Sequence, residues 1–481
     1  MLEYGYMAPT MFAGLVVFLL IGFPVAFSLS ALGLFFGFLA IEVGYFGPEF
    51  LQALPYRTFG IMSNDLLLAI PFFTFMGAIL ERSGLAEDLL EGTGPLFGGV
   101  PGGRACAVIC VGAILGAITG TVAASVIAMG MISLPIMLKY GYDMRIGTGV
   151  IAASGTITQV IPPSLVLIVL ADQIGVSVGD MYLGAIGPSV LQIGLFLLFI
   201  LGVSIFASHK VPALPPEART LRGWALASKV LWGMVPSLVL IFLVLGTIFL
   251  GLATPTEAGA MGGVGAIVLA MLHRRYTHKM MWEAMASTMR ITAKVVFILI
   301  GATVFSLVFQ GVNGGRWIEH ILSDLPGGQV GFLIFTMIFV FFIAFFLDFF
   351  EIVFIVVPML VPVARALEID PIWFGLLLCV NMQTSFMHPP FGFALFYLRA
   401  IAPKEVKTSD IYWGSLPWIA LQLVLVGILI AWPETVSYWI SETATLDAES
   451  VDKALEGLTM PEPGGDPGTP DFGQPPALDL K

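Results

Sequence analysis

Apolar residues along this chain come in long runs, parted by short stretches that carry most of its charge. A helix needs about 20 apolar residues to cross a bilayer, and several runs meet that length. Others do so awkwardly. Residues 7–41 are interrupted by Gly22 and Pro24 and read either as one kinked helix or as two short ones. Between Arg104 and Lys139 lie 34 uncharged residues. At about 1.5 Å per residue that is too long for one upright span and short for two spans with a turn. The centre of this run, Gly116-Ala117-Ile118-Thr119-Gly120-Thr121, is polar and contains glycine. It predicts two short arms of a re-entrant hairpin that enters and leaves the membrane on one side. The next run, Ile146 to Ile174, has the length of a full span, but Ser154-Gly155-Thr156-Ile157-Thr158-Gln159-Val160-Ile161-Pro162-Pro163 stands in its middle. Two consecutive prolines remove amide donors and disfavour helix at the residue before them, so this span is expected to break at mid-membrane.

The pattern then repeats. Pro135, Asp143 and the pair Pro162-Pro163 recur 227 residues later as Pro362, Asp370 and Pro389-Pro390. The second copy predicts arms around Asp348-Phe349-Phe350-Glu351 and a span interrupted at Asn381-Met382-Gln383-Thr384-Ser385-Phe386-Met387-His388-Pro389-Pro390. Interrupted hydrophobic segments at matching positions in two halves point to a transporter's binding site. The expected fold is an all-α polytopic membrane protein with two re-entrant helical hairpins and two broken helices. Its parts are N-terminal membrane helices (1–104), a first repeat (105–207), central scaffold helices and cytoplasmic loops (208–328), a second repeat (329–433) and an acidic Pro/Gly-rich tail (434–481).

Charge gives the repeat a direction. Ser208–Lys229 and His273–Lys279 are rich in Lys and Arg and are separated by two spans, near 230–250 and 255–272, so both fit the cytoplasmic side. Counting outwards places the base of the first hairpin (Arg104, Lys139, Arg145) and the loop with Arg399, Lys404 and Lys407 inside as well. The second hairpin then enters from the opposite face, and the repeat is inverted. Composition agrees with a membrane protein: 58% of residues are apolar and 11% charged, against about 25% charged in soluble domains. The net charge of −11 is concentrated from Glu434 onwards, where 10 acids face only Lys453 and Lys481. This tail is expected outside, with a disordered end. No large basic patch suggests nucleic acid as a partner. Cys106, Cys110 and Cys379 read as small buried apolar side chains. The first basic residue is Arg57, so a signal-peptide n-region is missing and the first apolar segment is expected to be retained.

Broken helices at membrane depth need protein or a wet cavity beside them, because an unpaired backbone group there costs several kcal/mol. Their carbonyl ends suit a cation and their amide ends an anion. The implied chemistry is cotransport of an anionic substrate with Na⁺ or H⁺. In the first copy the candidate oxygen donors gather around Thr119, Thr121, Ser125, Gly155, Thr156 and Thr158. In the second they gather around Asp348, Asn381, Gln383 and Ser385, with Pro162 and Pro389 marking the two breaks. The coupling cation, Na⁺ if the ion is a metal, is expected at Thr119, Thr121, Thr158, Asp348, Asn381 and Ser385. Hydroxyls and amides of this kind also cap helix ends and pack helices together. Asp348 and Glu351 are acids near mid-membrane, which are functional by default, although a cap or a salt bridge at the hairpin tip explains them too. His388 either tunes substrate or proton coupling or is a packing histidine. Glu257 belongs to Thr254-Pro255-Thr256-Glu257, the spacing of a helix-initiating capping box. Asp172 and Arg399 mark the membrane ends of the two broken helices. No nucleophile elbow, zinc-protease motif or P-loop is present, so no catalysis and no cofactor are expected, only a coupling ion.

Several segments together resemble the large membrane subunit of tripartite ATP-independent periplasmic (TRAP) transporters. They are LLAIPFFTFMGAILERSGLAEDL, GAITGTVAASVIAMG, LPIMLKYGYD followed by GTITQVIPPS, ATPTEAGA, and PMLVPVARALEIDPIWFG. The likeness runs from about Gly22 to Trp432. It implies the ion-transporter superfamily fold and an elevator, in which the hairpins and broken helices slide against a scaffold, with uptake coupled to Na⁺. It implies two partners in the bacterial inner membrane and periplasm: a small four-helix membrane subunit and a soluble substrate-binding protein. Because the large-subunit pattern starts at once, the small subunit is expected as a separate chain. The second hairpin, LDFFEIVFIVVP followed by NMQTSFMHPPFGFALFYLR, departs from the commoner family pattern of small and hydroxyl residues. That variant resembles the subgroup associated with 2-oxo acids, mannitol or chloroaromatic acids. Alternatives are a stand-alone Na⁺/dicarboxylate symporter of the same superfamily and a channel or scaffold subunit without coupled transport.

Overall fold

The computed structural model describes residues 6–84, 97, 99–215, 223–323 and 325–440. The chain divides into a unit Met1–Ile440 and a unit Ser441–Lys481. The second lies outside the described residues, and the expectations for the end of the tail lie there with it. The described residues form helices and no strand. Seven of these helices are long and apolar enough to cross a membrane, or up to eight if the bent pair Pro48–Met62 and Asp65–Arg82 is one span.

The N-terminal block resolves into two helices, α1 (Met7–Ile21) and α2 (Val25–Val43). Gly22 ends α1 in a left-handed conformation (φ 87°), and Pro24 provides the N-cap position of α2. Both residues therefore act as boundaries rather than as a kink. Next come α3 (Ala53–Met62) and α4 (Asp65–Arg82), the latter capped by the Asn64 side chain.

The first copy comprises α5 (Gly103–Thr119), α6 (Val122–Lys139), α7 (Met144–Thr156), α8 (Leu165–Ile174) and α9 (Val178–Phe206). The hairpin arms α5 and α6 are 17 and 18 residues long, longer than expected. The turn consumes only Gly120 and Thr121: Gly120 closes α5 at φ 61°, and extended Thr121 opens α6. Almost the whole uncharged run therefore stays helical. The expected break follows α7, with a short 3-10 turn at Ile157–Gln159 and then Pro162-Pro163 before α8.

Between the copies lie α10 (Gly223–Phe249), α11 (Pro255–Leu272), α12 (His278–Gly311) and α13 (Gly314–Ser323). The capping box at the start of α11 is complete, with Thr254 and Glu257 bonding reciprocally. The 34-residue helix α12 packs on α2 and α4, and α11 packs on α4.

The second copy comprises α14 (Gly328–Ile343), α15 (Phe349–Ala366, with a π turn at Ile352–Val356), α16 (Pro371–Met382), α17 (Phe393–Ile401) and α18 (Thr408–Ala431). A final turn, α19 (Glu434–Ser437), buries Val436 against α9 and α16, so residues 434–440 belong to the packed body rather than to the tail. Helices α6 and α15 start 227 positions apart, at Val122 and Phe349, and so do α7 and α16, at Met144 and Pro371. The Pro162-Pro163 and Pro389-Pro390 bonds are both cis.

Contacts between the copies are reciprocal. Helix α6 packs on α17 while α15 packs on α8, and α7 packs on α18 while α9 packs on α16. Interchange of this kind is the signature of a two-fold relation. The axis can be located, because the Gln383 amide donates to the Thr156 carbonyl at 2.9 Å across a separation of 227 residues. One residue thus bonds to its own counterpart.

Candidate functional site: a cavity between two hairpin tips

Both tips and both breaks meet at one cavity of about 220 Å³. The first tip contributes Gly120 and Thr121, and the second Asp348, Phe349 and Phe350. Gln159 and Leu165 flank the first break, while Phe386 and Phe393 flank the second. Helix α12, which belongs to neither copy, adds Ile291 and Lys294.

The second tip is held by charge. Asp348 Oδ1 accepts from the Glu351 backbone at 3.0 Å, and Glu351 Oε2 accepts from the Asp348 backbone at 2.8 Å, which completes a capping box. The other carboxylate oxygen of Asp348 accepts from Lys294 Nζ. Cap and salt bridge are thus both present at an acid also expected to ligate Na⁺. The first tip is built differently: the Thr121 side chain makes no cap bond to α6.

The remaining candidates separate into groups. Behind the first tip, Thr158 Oγ1 donates to the Gly155 carbonyl at 2.7 Å and lies 3.3 Å from Ser125 Oγ, with both hydroxyls fully buried. The Thr119 side chain lies outside the described residues. Thr156 and Gln383 sit on the axis in a buried network. Gln192 Nε2 donates to Gln383 Oε1 at 2.7 Å, and Gln422 Nε2 donates to the Thr156 hydroxyl at 3.1 Å. All four side chains are buried. Asn381 donates to the Met337 carbonyl at 2.7 Å, and its Oδ1 is buried without a partner. Ser385 lines a separate cavity of about 310 Å³ with Leu19, Phe345 and Phe391. Pro162 and Pro389 sit at the two breaks, as expected. Of the named donors, then, Thr121 and Asp348 reach the central cavity, Ser125, Gly155 and Thr158 gather behind it, and Asn381 and Ser385 stand apart.

His388 is buried and stacks on Phe345 with ring centroids 4.0 Å apart, edge-on to Phe341 at 4.5 Å. Neither ring nitrogen has a hydrogen-bond partner. Cys379 is buried, whereas Cys106 and Cys110 are only partly so. Asp172 accepts from the Asn64 side chain at 2.7 Å, and Arg399 donates to the Val406 carbonyl at 2.6 Å, both near helix ends.

Lys294, Gln159, Gln192 and Gln422 were absent from the expected set. Each is a polar residue inside an apolar helix or break, a signal readable in the sequence.

Comparison with known proteins fits this geometry. Residues 12–435 match the family described as "Tripartite ATP-independent periplasmic transporter, DctM component". The chain belongs to the DctM family. It is 31% identical, over 81% of its length and 90% of the relative, to the C4-dicarboxylate TRAP transporter large permease protein DctM of Pseudomonas aeruginosa. It is 29% identical, over 88% of its length and 96% of the relative, to the ectoine/5-hydroxyectoine large permease protein UehC of Ruegeria pomeroyi. The isethionate permease protein DctMQ of Oleidesulfovibrio alaskensis is 27% identical over 87% of this chain, which accounts for 64% of that protein. Among solved structures, the YdaH transporter of Alcanivorax borkumensis shares the fold, with a TM-score of 0.56 at 16% identity over 80% of this chain and 88% of that one. This DctM-family chain is a multi-pass membrane subunit of a TRAP transporter.

Proposed function

We propose that this DctM-family permease imports an organic acid, such as a 2-oxo acid, in symport with Na⁺ across the bacterial inner membrane. The observation that carries the reading is the single cavity at which both tips, both breaks and Lys294 converge. Broken helices offer carbonyl ends for a cation and amide ends for a carboxylate at the same depth. The buried hydroxyl and carbonyl oxygens of Ser125, Thr158 and Gly155 are hard donors of the kind Na⁺ prefers. The names of the relatives span dicarboxylates, ectoine and isethionate, which favours a small polar cargo without selecting one.

A periplasmic binding protein delivers the substrate, and a small four-helix membrane subunit completes the complex as a second chain. The DctMQ relative, of which this chain accounts for 64%, is longer than the part matched here, which leaves room for such a subunit. The two copies, packed on each other around the axis, move as one body against α2, α4, α11 and α12 in an elevator cycle.

The test is uptake by the reconstituted complex with and without an inward Na⁺ gradient. Uptake that rises steeply with the gradient supports the coupling. Uptake indifferent to Na⁺ at every gradient would remove it. Replacing Asp348 and Asn381 together with Ala tests the second copy's part in Na⁺ binding, since unchanged Na⁺ dependence excludes those two ligands.

A further inference from the structure

We infer that Lys294 anchors the substrate's carboxylate, and that its cavity selects an anion with one carboxylate and an apolar body. The inference rests on the organic-acid reading above and narrows it. Among the described residues lining the cavity, Lys294 is the one cation and Asp348 the one anion. An ammonium has three donors, and Asp348 Oδ2 occupies one of them. The Lys294 side chain keeps 55% of its surface exposed although it sits in mid-helix, so its remaining donors are accessible. A carboxylate arriving here forms a charge-assisted hydrogen bond with an ammonium already oriented by its ion pair.

The rest of the lining decides what the carboxylate is attached to. Phe349, Phe350, Phe386 and Phe393, with Leu165 and Val166, form walls without hydrogen-bonding groups. The other polar groups on the lining are the Thr121 and Tyr397 hydroxyls, the backbone at the start of α6, Asp348 and Gln159, and none of them is a cation that could pair a second carboxylate. Gln159 is 3% exposed, and its amide oxygen has no partner. That oxygen suits a hydroxyl or a water and repels a carboxylate. An ion left unpaired against apolar walls gives up hydration that nothing replaces. Because Lys294 belongs to α12, the rings to the second copy, and Leu165 and Val166 to the first, the substrate bridges the repeat body and the helices around it.

The experiment measures binding to the purified full-length chain in lipid nanodiscs with Na⁺ present. The probes are 4-methyl-2-oxopentanoate, with one carboxylate and an apolar body, and 2-oxoglutarate, with two carboxylates. The first is expected to bind about tenfold more tightly or better, the scale of one unpaired charge. Lys294→Arg keeps most of that affinity. Lys294→Gln combined with Asp348→Asn leaves no orphaned charge, and it is expected to weaken the monocarboxylate about tenfold or more. Equal binding of the two probes by the wild-type chain overturns the selectivity without recourse to any variant. Wild-type affinity in the neutral double variant overturns the anchor alone and leaves the importer reading intact. If the wild-type chain binds neither acid and the reconstituted complex takes up neither, the importer reading falls and the anchor with it.

Discussion

The two copies share a chain path but not a way of packing. In the first, α5 lies almost backbone to backbone against the turn that follows α7, and α7 lies as close against α6. A Cβ on Gly116 would stand 3.0 Å from Thr158 Cα, and one on Gly155 would stand 2.2 Å from the Val126 side chain. In the second, no glycine occurs between Gly331 and Ile343, and Met382 stands where α7 has Gly155. Bulky side chains fill that region instead, with Phe341 and Phe345 packed on the stacked His388. The first copy thus buries hydroxyls and carbonyls tightly around one point. The second closes its tip with the Asp348–Glu351 capping box and the bond to Lys294. Repetition of a fold preserves the places where the chain bends, and it leaves each copy free to choose what fills them.

This contrast can be broken most forcefully by exchanging the packing residues. Gly155→Met, which gives the first copy the second copy's side chain, is expected to destabilise by about 3 kcal/mol or more, because the displaced neighbour includes Val126 backbone. Met382→Leu conserves volume and is expected to cost less than about 1.5 kcal/mol. The yield of monodisperse protein and its melting temperature in detergent report both, and a normal yield and melting temperature for Gly155→Met would refute the tight seam. Next in size is the axis. Gln383→Leu strands the Thr156 carbonyl together with Gln192 and Gln422, and a loss of about 1–3 kcal/mol is expected in thermal unfolding. An unshifted melting curve would mean that the network contributes nothing.

Ion binding sharpens the comparison at a smaller scale. Thr158→Val is expected to raise the Na⁺ concentration for half-maximal uptake about tenfold, the equivalent of about 1.4 kcal/mol. Ser385→Ala, remote from the other donors, should shift it much less. The reverse ranking would move the coupling site to the second copy. The smallest effect belongs to the second tip. Glu351→Ala removes one half of the capping box, a loss of about 1 kcal/mol, whereas Glu351→Gln preserves the spacing a capping box accepts and stays near neutral. Equal melting temperatures for these two variants would show that the box does not hold the tip.

The sequence foretold the architecture because bends are local. Gly120, Thr121 and the two Pro-Pro pairs impose backbone geometry on their immediate neighbours, and the equal spacing of the copies follows from reading along the chain. The capping box at Thr254 and Glu257 was legible for the same reason. The site was legible only in part. Thr121 and Asp348 lie on the tips and could be placed, whereas Lys294 reaches Asp348 from 54 residues away on a helix outside both copies. Nothing in its local pattern gives that partner, although a lysine within an apolar helix already called for one. Gln192 and Gln422 escaped for a similar reason, since each is a single amide in a long apolar helix. The arms of the first hairpin were expected to be short because a polar centre divides the run, but a left-handed Gly120 turns the chain in two residues.

The bond between Gln383 and Thr156 has a further consequence. A residue beside a two-fold axis meets its own duplicate, so in a pair of identical half-length chains this position would be Thr against Thr or Gln against Gln. Here the amide of one reaches the carbonyl of the other, and the two cannot be interchanged. A single substitution at either place alters the seam for both halves at once. This is where the molecule tells its left hand from its right.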